Sequence, residues 1–436
     1  MSGRKRETTK SPSRRELLGT VGVAGAVAVS GCGVLGGDEE EEQEAESVTI
    51  GISIPQEGRY ANEGAELEDG YRLAAKHLND GSGAFTEGPW AADIGAGILG
   101  DEVELDVQDT DSSEEGARES AQTLINEGAD VITGGATAME GHSHQEIAGQ
   151  EGVLYLGAFT PDDNLAGLNC SRYAFNEMYN QTMAAQALAS VVPDEMGPDE
   201  DITFAQLFPD TDVGARTSLA FRSRFEALGW SHNRRDRTRV GTRDFSDPAA
   251  SVVGSGADMY ILNYTGLAAA NAIRDVVDIA DDDVYVVVPF MNRRTVANAG
   301  SALEGVFGTL PWQSTFDDSF SQAFLDSWDE VETETEVPSE LSYLAYVQLC
   351  QYAAAAERAG TLDADGIIAE LEGYEYDLGL GTQELRACDH QAMRGVPVVR
   401  GLPSAAQEPG AYTERLAVVD DVAYSCEEPP ASNCNL

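Results

Sequence analysis

The strongest constraint on the fold is a regular alternation of strand-like and helix-like segments that begins at Val48. The first strand-like segments are residues 48–55, 103–109, 129–135 and 152–159. Between them, residues 64–79 carry apolar side chains at helical spacing, and a second helix is predicted from Ser112 or Ser113 to about Gly128. Such alternation predicts the α/β class, with a parallel sheet that is flanked by helices on both faces.

The same alternation starts again near Tyr173. Its strand-like segments are residues 202–208, 257–264, 283–290 and 305–311, and helical stretches are predicted at 213–228 and 266–280. Two similar series predict two similar lobes. Ligands of open α/β sheets bind beyond the carboxyl ends of the strands, so the loops after the strands are the candidate binding segments.

The charge of the chain is extreme for its length. Its 436 residues carry a formal net charge of -49, and its only lysines are Lys5, Lys10 and Lys76. At about 1 M ionic strength the Debye length is about 3 Å, so dense carboxylates stop repelling one another while they keep the surface hydrated. We interpret this composition as adaptation to molar salt. A partner of basic polymers is the alternative, and the same charge disfavours nucleic acid as a ligand.

Residues 1–31 have the features of a targeting segment. Arg14 and Arg15 precede a short apolar run that ends just before Cys32. This looks like a twin-arginine export signal that ends in a lipobox, with Cys32 as the lipidated first residue of the mature protein. A transmembrane helix is the alternative, but it needs about 20 apolar residues. Residues 32–47 are predicted to form an acidic, disordered tether.

Five further cysteines follow this segment, namely Cys170, Cys350, Cys388, Cys426 and Cys434. An exported chain enters a compartment that permits disulfides, although sequence alone does not give their connectivity. Cys426 and Cys434 enclose a short loop that contains proline, and they are the first candidate pair. Cys350 lies in the middle of an apolar helical stretch, so we expect it to be a buried free thiol.

An ordered set of short segments between Val48 and Val399 is similar to a known family. In chain order the segments are IGISIPQEGRYANEG, DGYRLAAKHLN, the turn Asp109-Thr110-Asp111, ADVITGG, EGVLYLGAFTP, CSRYAFN, GTRDFS and RACDHQ. Their order resembles the type I periplasmic-binding-protein family, in the branch of branched-chain amino acid and amide receptors of ABC transporters. The resemblance implies a two-lobed receptor that closes about a hinge and delivers its ligand to a membrane permease.

The resemblance also implies three crossover segments between the lobes, which we place near residues 170–175, 310–312 and 386–391. Residues 48–170 with 312–386 would then form the N-terminal lobe, and residues 174–310 with 388–436 the C-terminal lobe. This placement brings Cys170 and Cys388 to the hinge. They are therefore the second candidate disulfide.

In the first lobe, the resemblance places ligand contacts on the loops 59–64, 134–139 and 159–161, with Tyr60, Glu63, Thr137, Ala138, Phe159 and Thr160 as the contact residues. Tyr60 would supply an aromatic wall. Glu63 would supply a charge, although an exposed loop position is an equal alternative for it. Thr137 and Thr160 offer hydroxyls to a carboxylate or amide oxygen. Relatives usually carry Ser near position 138, and Ala138 leaves recognition to Thr137 and to backbone N–H groups.

In the second lobe, the matching residues are Val213, Thr242, Tyr264 and Phe290. The family's amino acid receptors use an acid at the position of Thr242 to bind the ligand's ammonium group. Burying an unpaired ammonium costs much free energy. Either Glu63, Asp210 or Asp212 takes over that role, or the ligand is not an α-amino acid. Tyr264 and Phe290 end their strands and are equally well interpreted as core residues.

Catalytic and metal-binding patterns are weak in this sequence. The segment from Gly141 to Gln145 lacks the final glycine of a nucleophile elbow. His142, His144 and Glu146 would point around a helix rather than to one side of it, which argues against a metal site. No phosphate-binding loop is found. We therefore expect no metal, no cofactor and no enzymatic activity.

The combined prediction is an exported, lipid-anchored and monomeric solute-binding protein on the outer face of the cytoplasmic membrane. Its expected ligand is a small polar organic molecule, either a branched-chain or polar amino acid, an amide or urea. Its expected partner is an ABC permease. A sensory receptor with the same fold and an extracellular hydrolase or amidase are the alternatives.

Overall fold

The computed structural model describes residues 47–197, 201–281 and 283–436. The predicted export signal, the lipidation site Cys32 and the predicted tether up to residue 46 lie outside these ranges. Within them, no helix combines the length and the apolar composition that a membrane span requires.

The first part of the chain forms a five-stranded parallel sheet. Its strands are β1 Ser47–Ile54, β2 Glu102–Asp109, β3 Val131–Gly134, β4 Leu154–Gly157 and β5 Ala174–Asn176, and its helices are α1 Ala61–Asp80, α2 Glu114–Glu127 and α3 Ala138–Glu151. The strand order is β2-β1-β3-β4-β5. The chain winds in opposite directions on either side of β1, so the loops after β1 and β3 flank a crevice at the carboxyl edge. We call this sheet, with the helices packed on it, the first lobe.

The second part of the chain continues the alternation and ends in antiparallel strands. Its elements are α4 Gln181–Met196, β6 Thr203–Pro209, α5 Asp212–Ala227, β7 Ser231–Thr238, α6 Ser246–Val253, β8 Met259–Leu262, α7 Gly266–Val277, β9 Tyr285–Val288, α8 Arg293–Ala299, β10 Phe307–Thr309, α9 Ser319–Asp326, α10 Glu340–Ala359, α11 Ala364–Leu371, β11 Tyr374–Asp377, β12 Thr382–Leu385, β13 Ala392–Met393, β14 Val396–Gly401 and β15 Thr413–Val419.

The second sheet repeats the topology of the first. Its strand order is β15-β14-β10-β9-β8-β6-β7, and the five strands from β6 to β10 are parallel and have the same relative order as β1 to β5. Strands β14 and β15 join the other edge in antiparallel fashion. We call this sheet, with its helices, the second lobe. Strands β11, β12 and β13 form a small separate antiparallel sheet.

Helix α10 returns the chain to the first lobe, where it packs against α1. Most of α10 is buried, and its alanine-rich half allows a close approach to its neighbours. The contact needs a glycine on α1, because a Cβ atom at Gly70 would lie 2.1 Å from the Ser342 carbonyl oxygen. The first lobe is therefore completed by residues from the last third of the chain.

The structure confirms the α/β class and the predicted alternation. Ser113 caps α2 by accepting a hydrogen bond from the Gly116 N–H, and Gly128 ends this helix in a left-handed conformation. One boundary is wrong, because β5 at Ala174–Asn176 still pairs with β4 of the first sheet, whereas the second lobe was expected to begin at residue 174. The first crossover therefore lies after β5.

Both predicted disulfides are wrong, although all four cysteines are bonded. The bonds are Cys170–Cys434 and Cys388–Cys426, with Cα–Cα distances of 5.5 Å and 6.1 Å. The residues between Cys426 and Cys434 form turns and a short 3-10 helix, and these two cysteines bond to the β12–β13 loop and to the β4–β5 loop instead of to each other. Cys350 is a buried free thiol, as predicted.

A buried ion pair joins the three segments that connect the lobes. The Arg394 guanidinium lies 2.9 Å from a Glu177 carboxylate oxygen, and both side chains are almost fully shielded from solvent. Arg394 also donates to the Pro311 carbonyl at 3.4 Å, and Gln351 donates to Glu177 at 3.0 Å. Because Glu177, Pro311 and Arg394 follow β5, β10 and β13, this pair ties the crossovers together at one point.

Candidate functional site

The carboxyl edges of the two parallel sheets meet in a cleft between the lobes. Side chains from the loops after β1 and β4 contact side chains from the segments after β9 and β6, respectively. These are the loops in which the sequence predicted ligand contacts. The cleft is therefore the candidate functional site.

The loop after β1 is held in place from two sides. At the start of α1, a Cβ atom at Gly64 would lie 1.8 Å from the Pro55 carbonyl oxygen, so only glycine fits there. The Tyr60 N–H donates to the Ser112 hydroxyl at 3.1 Å, and this hydroxyl donates to the Glu57 carbonyl at 2.8 Å. Tyr60 is half-buried at the entrance of α1, which agrees with a position on the cleft wall.

Glu63 forms an ion pair across the cleft. Its carboxylate accepts a hydrogen bond of 2.6 Å from Arg294 of α8, and the same guanidinium donates to the Arg59 carbonyl at 3.0 Å. Glu63 is 3% exposed, so the alternative of an exposed loop position is wrong. Burial raises the pKa of Glu63, and the Arg294 charge only partly offsets this rise. A Cβ atom at Gly266 would lie 2.9 Å from a Glu63 oxygen, so the second lobe closes tightly over this pair.

A second group of charges lies beside this pair. The Arg293 N–H donates to Glu340 at 3.0 Å, and the Arg293 guanidinium lies 3.7 Å from Glu66. Burial, with a smaller contribution from the Glu63 charge, raises the pKa of Glu66 to about 7, and burial together with the Glu66 charge raises that of Glu340 to about 8. Three carboxyls of the first lobe thus face two arginines of the second.

The loop after β3 is shaped by a buried carboxylate that the sequence analysis missed. Glu140 accepts hydrogen bonds from the Thr110 hydroxyl at 2.5 Å, the Ala136 N–H at 2.9 Å and the Thr137 hydroxyl at 3.1 Å. Thr137 caps α3, and Ala138 is buried at the first position of this helix. The Thr137 hydroxyl is therefore engaged within the loop, and the expectation that it is available to a ligand is not supported by its contacts.

The loop after β4 combines an unpaired hydroxyl with an ion pair. Phe159 and Thr160 are buried, and among the described residues the Thr160 hydroxyl oxygen has no hydrogen-bond partner. Asp162 binds Arg216 of α5 through both carboxylate oxygens, one of them at 3.1 Å, and lies 2.9 Å from a ring nitrogen of His142. Burial would raise the pKa of Asp162, but the hydrogen bonds from His142 and Arg216 outweigh it and hold the pKa below its usual value.

A cavity of about 830 Å³ opens beside the Asp162–Arg216 pair. Val213, a predicted contact residue, lines this cavity together with Met139, Thr211 and Asp212. Val213 lies in the first turn of α5, where the helix begins after the cap residue Thr211. Both lobes therefore contribute to this part of the cleft.

The other predicted residues of the second lobe are engaged in local contacts. Thr242 donates to the Arg239 carbonyl at 2.7 Å. The Tyr264 hydroxyl lies 2.9 Å from the Thr238 hydroxyl, and the Phe290 ring stacks on Tyr179 at a centroid distance of 5.9 Å. Tyr264 and Phe290 are thus largely buried packing residues.

Asn263 is a polar residue of the second lobe that the sequence analysis missed. It directly follows β8 and is 7% exposed. Within the described chain, neither its side-chain oxygen nor its side-chain nitrogen has a hydrogen-bond partner. Buried amides are usually paired, so this unpaired amide at the carboxyl end of β8 is a candidate binding position. A polar residue directly after a buried strand was the available signal.

The arginines of α8 also escaped the sequence analysis, although a signal existed. Arg293 and Arg294 follow the cap residue Asn292 and occupy the first turn of the helix. Positive charge at a helix N-terminus opposes the helix dipole, so two arginines there require nearby carboxylates. The sequence does not reveal that those carboxylates come from the other lobe.

His142, His144 and Glu146, whose spacing argued against a metal site, have separate partners in the structure. His142 contacts Asp162, His144 contacts the Ser53 hydroxyl at 2.7 Å, and Glu146 pairs with Arg118 at 2.9 Å. No cluster of three or more potential metal ligands is found in the described ranges. The three side chains therefore serve three separate contacts.

Comparison with known proteins places this geometry in a family. The family model described as "Periplasmic binding protein" matches residues 47–406. A curated relative, the Leu/Ile/Val-binding protein homolog 1 of Brucella abortus (strain 2308), is 22% identical over 320 residues, which cover 72% of this chain and 80% of the relative.

Solved structures show the same fold at low sequence identity. An amino acid ABC transporter substrate-binding protein from Pseudomonas fluorescens Pf-5 superimposes with a TM-score of 0.77 and 18% identity, covering 90% of this chain and 100% of the other. A solute-binding protein of an ABC transporter from R. palustris, in complex with benzoate, superimposes with a TM-score of 0.73 and 17% identity over the same shares of the chains.

Proposed function

Because the chain belongs to the periplasmic binding protein family, we propose that it is the solute receptor of an ABC transporter. It binds a small polar organic ligand between the lobes and passes it to a permease. The observation that carries this proposal is the cleft itself, in which loops of two sheets with the same topology are bridged by Glu63–Arg294 and Asp162–Arg216. A ligand that contacts both lobes shifts the equilibrium toward the closed form by its differential affinity for the two states.

The proposed lobes follow the expected division, with β5 added to the N-terminal lobe. The unpaired Thr160 hydroxyl and the unpaired Asn263 amide are the first candidates for hydrogen bonds to the ligand. Tyr60 and Val213 would add apolar contacts at the cleft walls. The ligand classes are a branched-chain or polar amino acid, an amide or urea, and the name of the Brucella relative supports the first of these.

We also propose that the protein is exported and lipid-anchored at the outer face of the cytoplasmic membrane. Replacing Arg14 and Arg15 by Lys is expected to trap the precursor in the cytoplasm. Cys32→Ser is expected to release the mature protein into the medium. A Cys32→Ser protein that still fractionates with membranes would rule out the anchor.

Adaptation to molar salt is the last part of the proposal, and it rests on the scarcity of lysine and the acid excess. The midpoint of urea unfolding is expected to rise steeply between low and molar KCl as repulsion is screened. A midpoint that does not change with salt would contradict this interpretation.

Receptor function is tested by ligand identification. Native protein is purified in molar salt, copurified compounds are identified by mass spectrometry, and each is added back in a melting experiment. A ligand at about 100 times its Kd stabilises the native state by about 2.7 kcal/mol, which raises the melting temperature by several degrees. Thr160→Ala is expected to reduce this shift while the ligand-free melting temperature is kept. Chemical conversion of the compound by the protein would contradict a receptor.

A further inference from the structure

Arginine is concentrated in one short stretch of this acidic chain. Residues 216–243 contain eight of the chain's 27 lysines and arginines but only two of its 76 acidic residues. The eight are Arg216, Arg222, Arg224, Arg234, Arg235, Arg237, Arg239 and Arg243. The stretch runs from α5 through β7 into the loop that follows β7. The second lobe therefore has a basic segment in a chain whose formal net charge is -49.

Strand β7, in the middle of this basic segment, is the edge of the second sheet. It pairs with β6, and no other strand of the described chain pairs with it. An open edge presents backbone N–H and C=O groups that another extended segment can bind. Arg235 and Arg237 lie on one face of β7, with guanidinium carbons 4.4 Å and 5.7 Å from the centroid of the Phe208 ring. The basic segment thus combines a free strand edge with arginines held beside it.

Half of the eight arginines have no carboxylate partner. In the described ranges the ion pairs are Arg216–Asp162, Arg222–Glu226, Arg234–Asp236 and Arg237–Asp210, and Arg224, Arg235, Arg239 and Arg243 form none. Arg235 donates instead to the Ser218 hydroxyl at 2.7 Å and to the Ala215 carbonyl at 2.9 Å. Burial, together with the like charges of Arg237 and Arg222, lowers the pKa of Arg235. Positive charge has accumulated here although the chain has a large excess of carboxylates.

Protection of the edge strand does not explain the sign of this charge. Charged side chains protect edge strands from pairing with other copies, and carboxylates can serve as well as arginines. Strand β2, at the edge of the first sheet, carries Glu102, Glu104, Asp106 and Asp109 and no basic residue. Acidic side chains line that edge strand, whereas arginines line β7. The difference points to an acidic partner at β7.

Exposed apolar side chains accompany the arginines. Leu219 lies one helical turn before Arg222 on α5, and Val240 lies just after β7; both are exposed. Arginine together with apolar side chains is typical of protein interfaces. Phosphate groups of a lipid surface would pair with the arginines, but they offer no strand to pair with the backbone groups of β7. The surface therefore fits a protein segment better than a membrane.

We infer that the outer edge of β7 and the adjoining face of α5 bind an acidic, extended segment of a partner protein. The segment pairs with β7 as an added strand, and its carboxylates bind the arginines. Such pairs suit molar salt, because screening removes long-range attraction but leaves bidentate arginine–carboxylate hydrogen bonds at contact. This docking surface goes beyond the proposed receptor function and does not depend on which solute the cleft binds.

The test uses three labelled peptides of equal length, whose Kd is measured by fluorescence anisotropy in molar KCl with the Cys32→Ser protein, which cannot be lipidated at that residue. In the first peptide, glutamate alternates with threonine and valine. The second has glutamine in place of glutamate, and the third keeps every side chain but carries methyl groups on its backbone nitrogens. The first peptide is expected to bind roughly tenfold or more tightly than either of the others, because they lack the charge or the N–H donors.

A pair of substitutions locates the site. Arg237→Gln combined with Arg239→Gln removes two exposed positive charges and leaves the half-buried Arg235 in place. The affinity for the acidic peptide is expected to fall by roughly tenfold or more. Arg172→Gln, which breaks an exposed pair with Asp365 in the first lobe, is the matched control and is expected to leave the affinity unchanged. The melting temperature of each variant shows whether it is folded.

Three results overturn the inference: the acidic peptide does not bind, one of the other two peptides binds as tightly, or the double substitution leaves the affinity unchanged. Binding to phosphatidylglycerol vesicles in the same salt, lost in the double variant and without binding of the acidic peptide, would assign the surface to lipid instead. The melting shift caused by a copurified solute does not involve this surface, so the receptor function stands or fails independently.

Discussion

The hinge and the cleft are both bridged by arginine–carboxylate pairs, but the two regions differ in their access to water. At the hinge, the side chains of Arg394 and Glu177 are 0% and 1% exposed. In the cleft, Arg294 and Arg216 retain 19% and 28% of their side-chain exposure, although their carboxylate partners are buried. Two disulfides fasten the C-terminal tail, one to the loop between β4 and β5 and the other to the loop between β12 and β13.

This difference explains how one type of contact can serve two purposes. When a buried pair is broken, its charges stay in a low-dielectric environment and the cost is large. When a cleft pair is broken, opening of the lobes allows water to hydrate both partners, and the net cost is small. We therefore propose that the hinge is a fixed joint and that the contacts across the cleft form and break as the lobes close and open.

The largest expected effect comes from breaking the hinge pair. Arg394→Met leaves Glu177 buried without a cation, and the free energy of unfolding is expected to fall by about 3–5 kcal/mol. Urea unfolding in molar KCl measures this loss. The control is Arg222→Gln in the exposed Arg222–Glu226 pair of α5, which is expected to change stability by about 0.5 kcal/mol or less. A loss below about 1 kcal/mol for Arg394→Met would remove the distinction between the two regions.

The next effect concerns the two disulfides that fasten the C-terminal tail. The bond Cys170–Cys434 spans 264 residues, and Cys388–Cys426 spans 38. Replacing either pair by Ser is expected to cost about 2–5 kcal/mol. The longer loop should cost about 1–2 kcal/mol more, because its closure removes more entropy from the unfolded chain. Equal losses of stability, or the reverse order, would show that local strain or residual structure in the unfolded chain determines the losses, and not the length of the closed loop.

A pH titration tests the carboxyls beside the cleft. The pKa of Glu340 is raised to about 8 in the folded protein, so the native state binds a proton that the unfolded chain releases at about its usual pKa of 4.5. The contribution of Glu340 to the free energy of unfolding is therefore fully present below pH 4.5. It decreases as the pH rises from there and is lost once the pH has risen through about 8. Glu340→Gln is expected to reduce the downward slope of stability by up to about 1.4 kcal/mol per pH unit. An unchanged slope would contradict the assigned protonation.

The smallest effect on stability is expected in the cleft. Arg294→Gln removes the partner of Glu63, but opening of the lobes can hydrate that carboxylate, so the loss is about 1 kcal/mol or less. The radius of gyration from small-angle scattering should increase at the same time. A loss as large as that of Arg394→Met, without expansion, would mean that the cleft is as rigid as the hinge.

Much of the fold was predictable, because the buried parallel strands have a simple signature. Strand β8, Met259–Leu262, is fully buried, and its run of apolar residues predicted it. Strand β7, Ser231–Thr238, was missed, because it is an edge strand with mostly polar and exposed side chains. Its position is set by pairing with β6 rather than by its own composition.

The candidate site was predicted at the level of loops and not at the level of contacts. Glu63 and Thr160 lie in the predicted loops, yet the partner of Glu63 is 231 residues away. The disulfides were also not predictable from local sequence. The short loop between Cys426 and Cys434 favoured a bond between these two residues, whereas Cys434 bonds to Cys170, 264 residues away. Local sequence patterns determine secondary structure. The partners of Glu63 and of the cysteines depend instead on how segments that are distant in the sequence pack against one another.

Small-angle scattering with and without bound ligand tests the central claim most directly. The protein is measured in molar KCl, first stripped of copurified compounds and then saturated with the compound that mass spectrometry identifies. A receptor that closes about a fixed hinge is expected to show a smaller radius of gyration when saturated with ligand. In Arg394→Met, whose hinge is weakened, the decrease in the radius of gyration is expected to be smaller. Binding confirmed by calorimetry with no change in the radius of gyration of the wild-type protein would contradict the account.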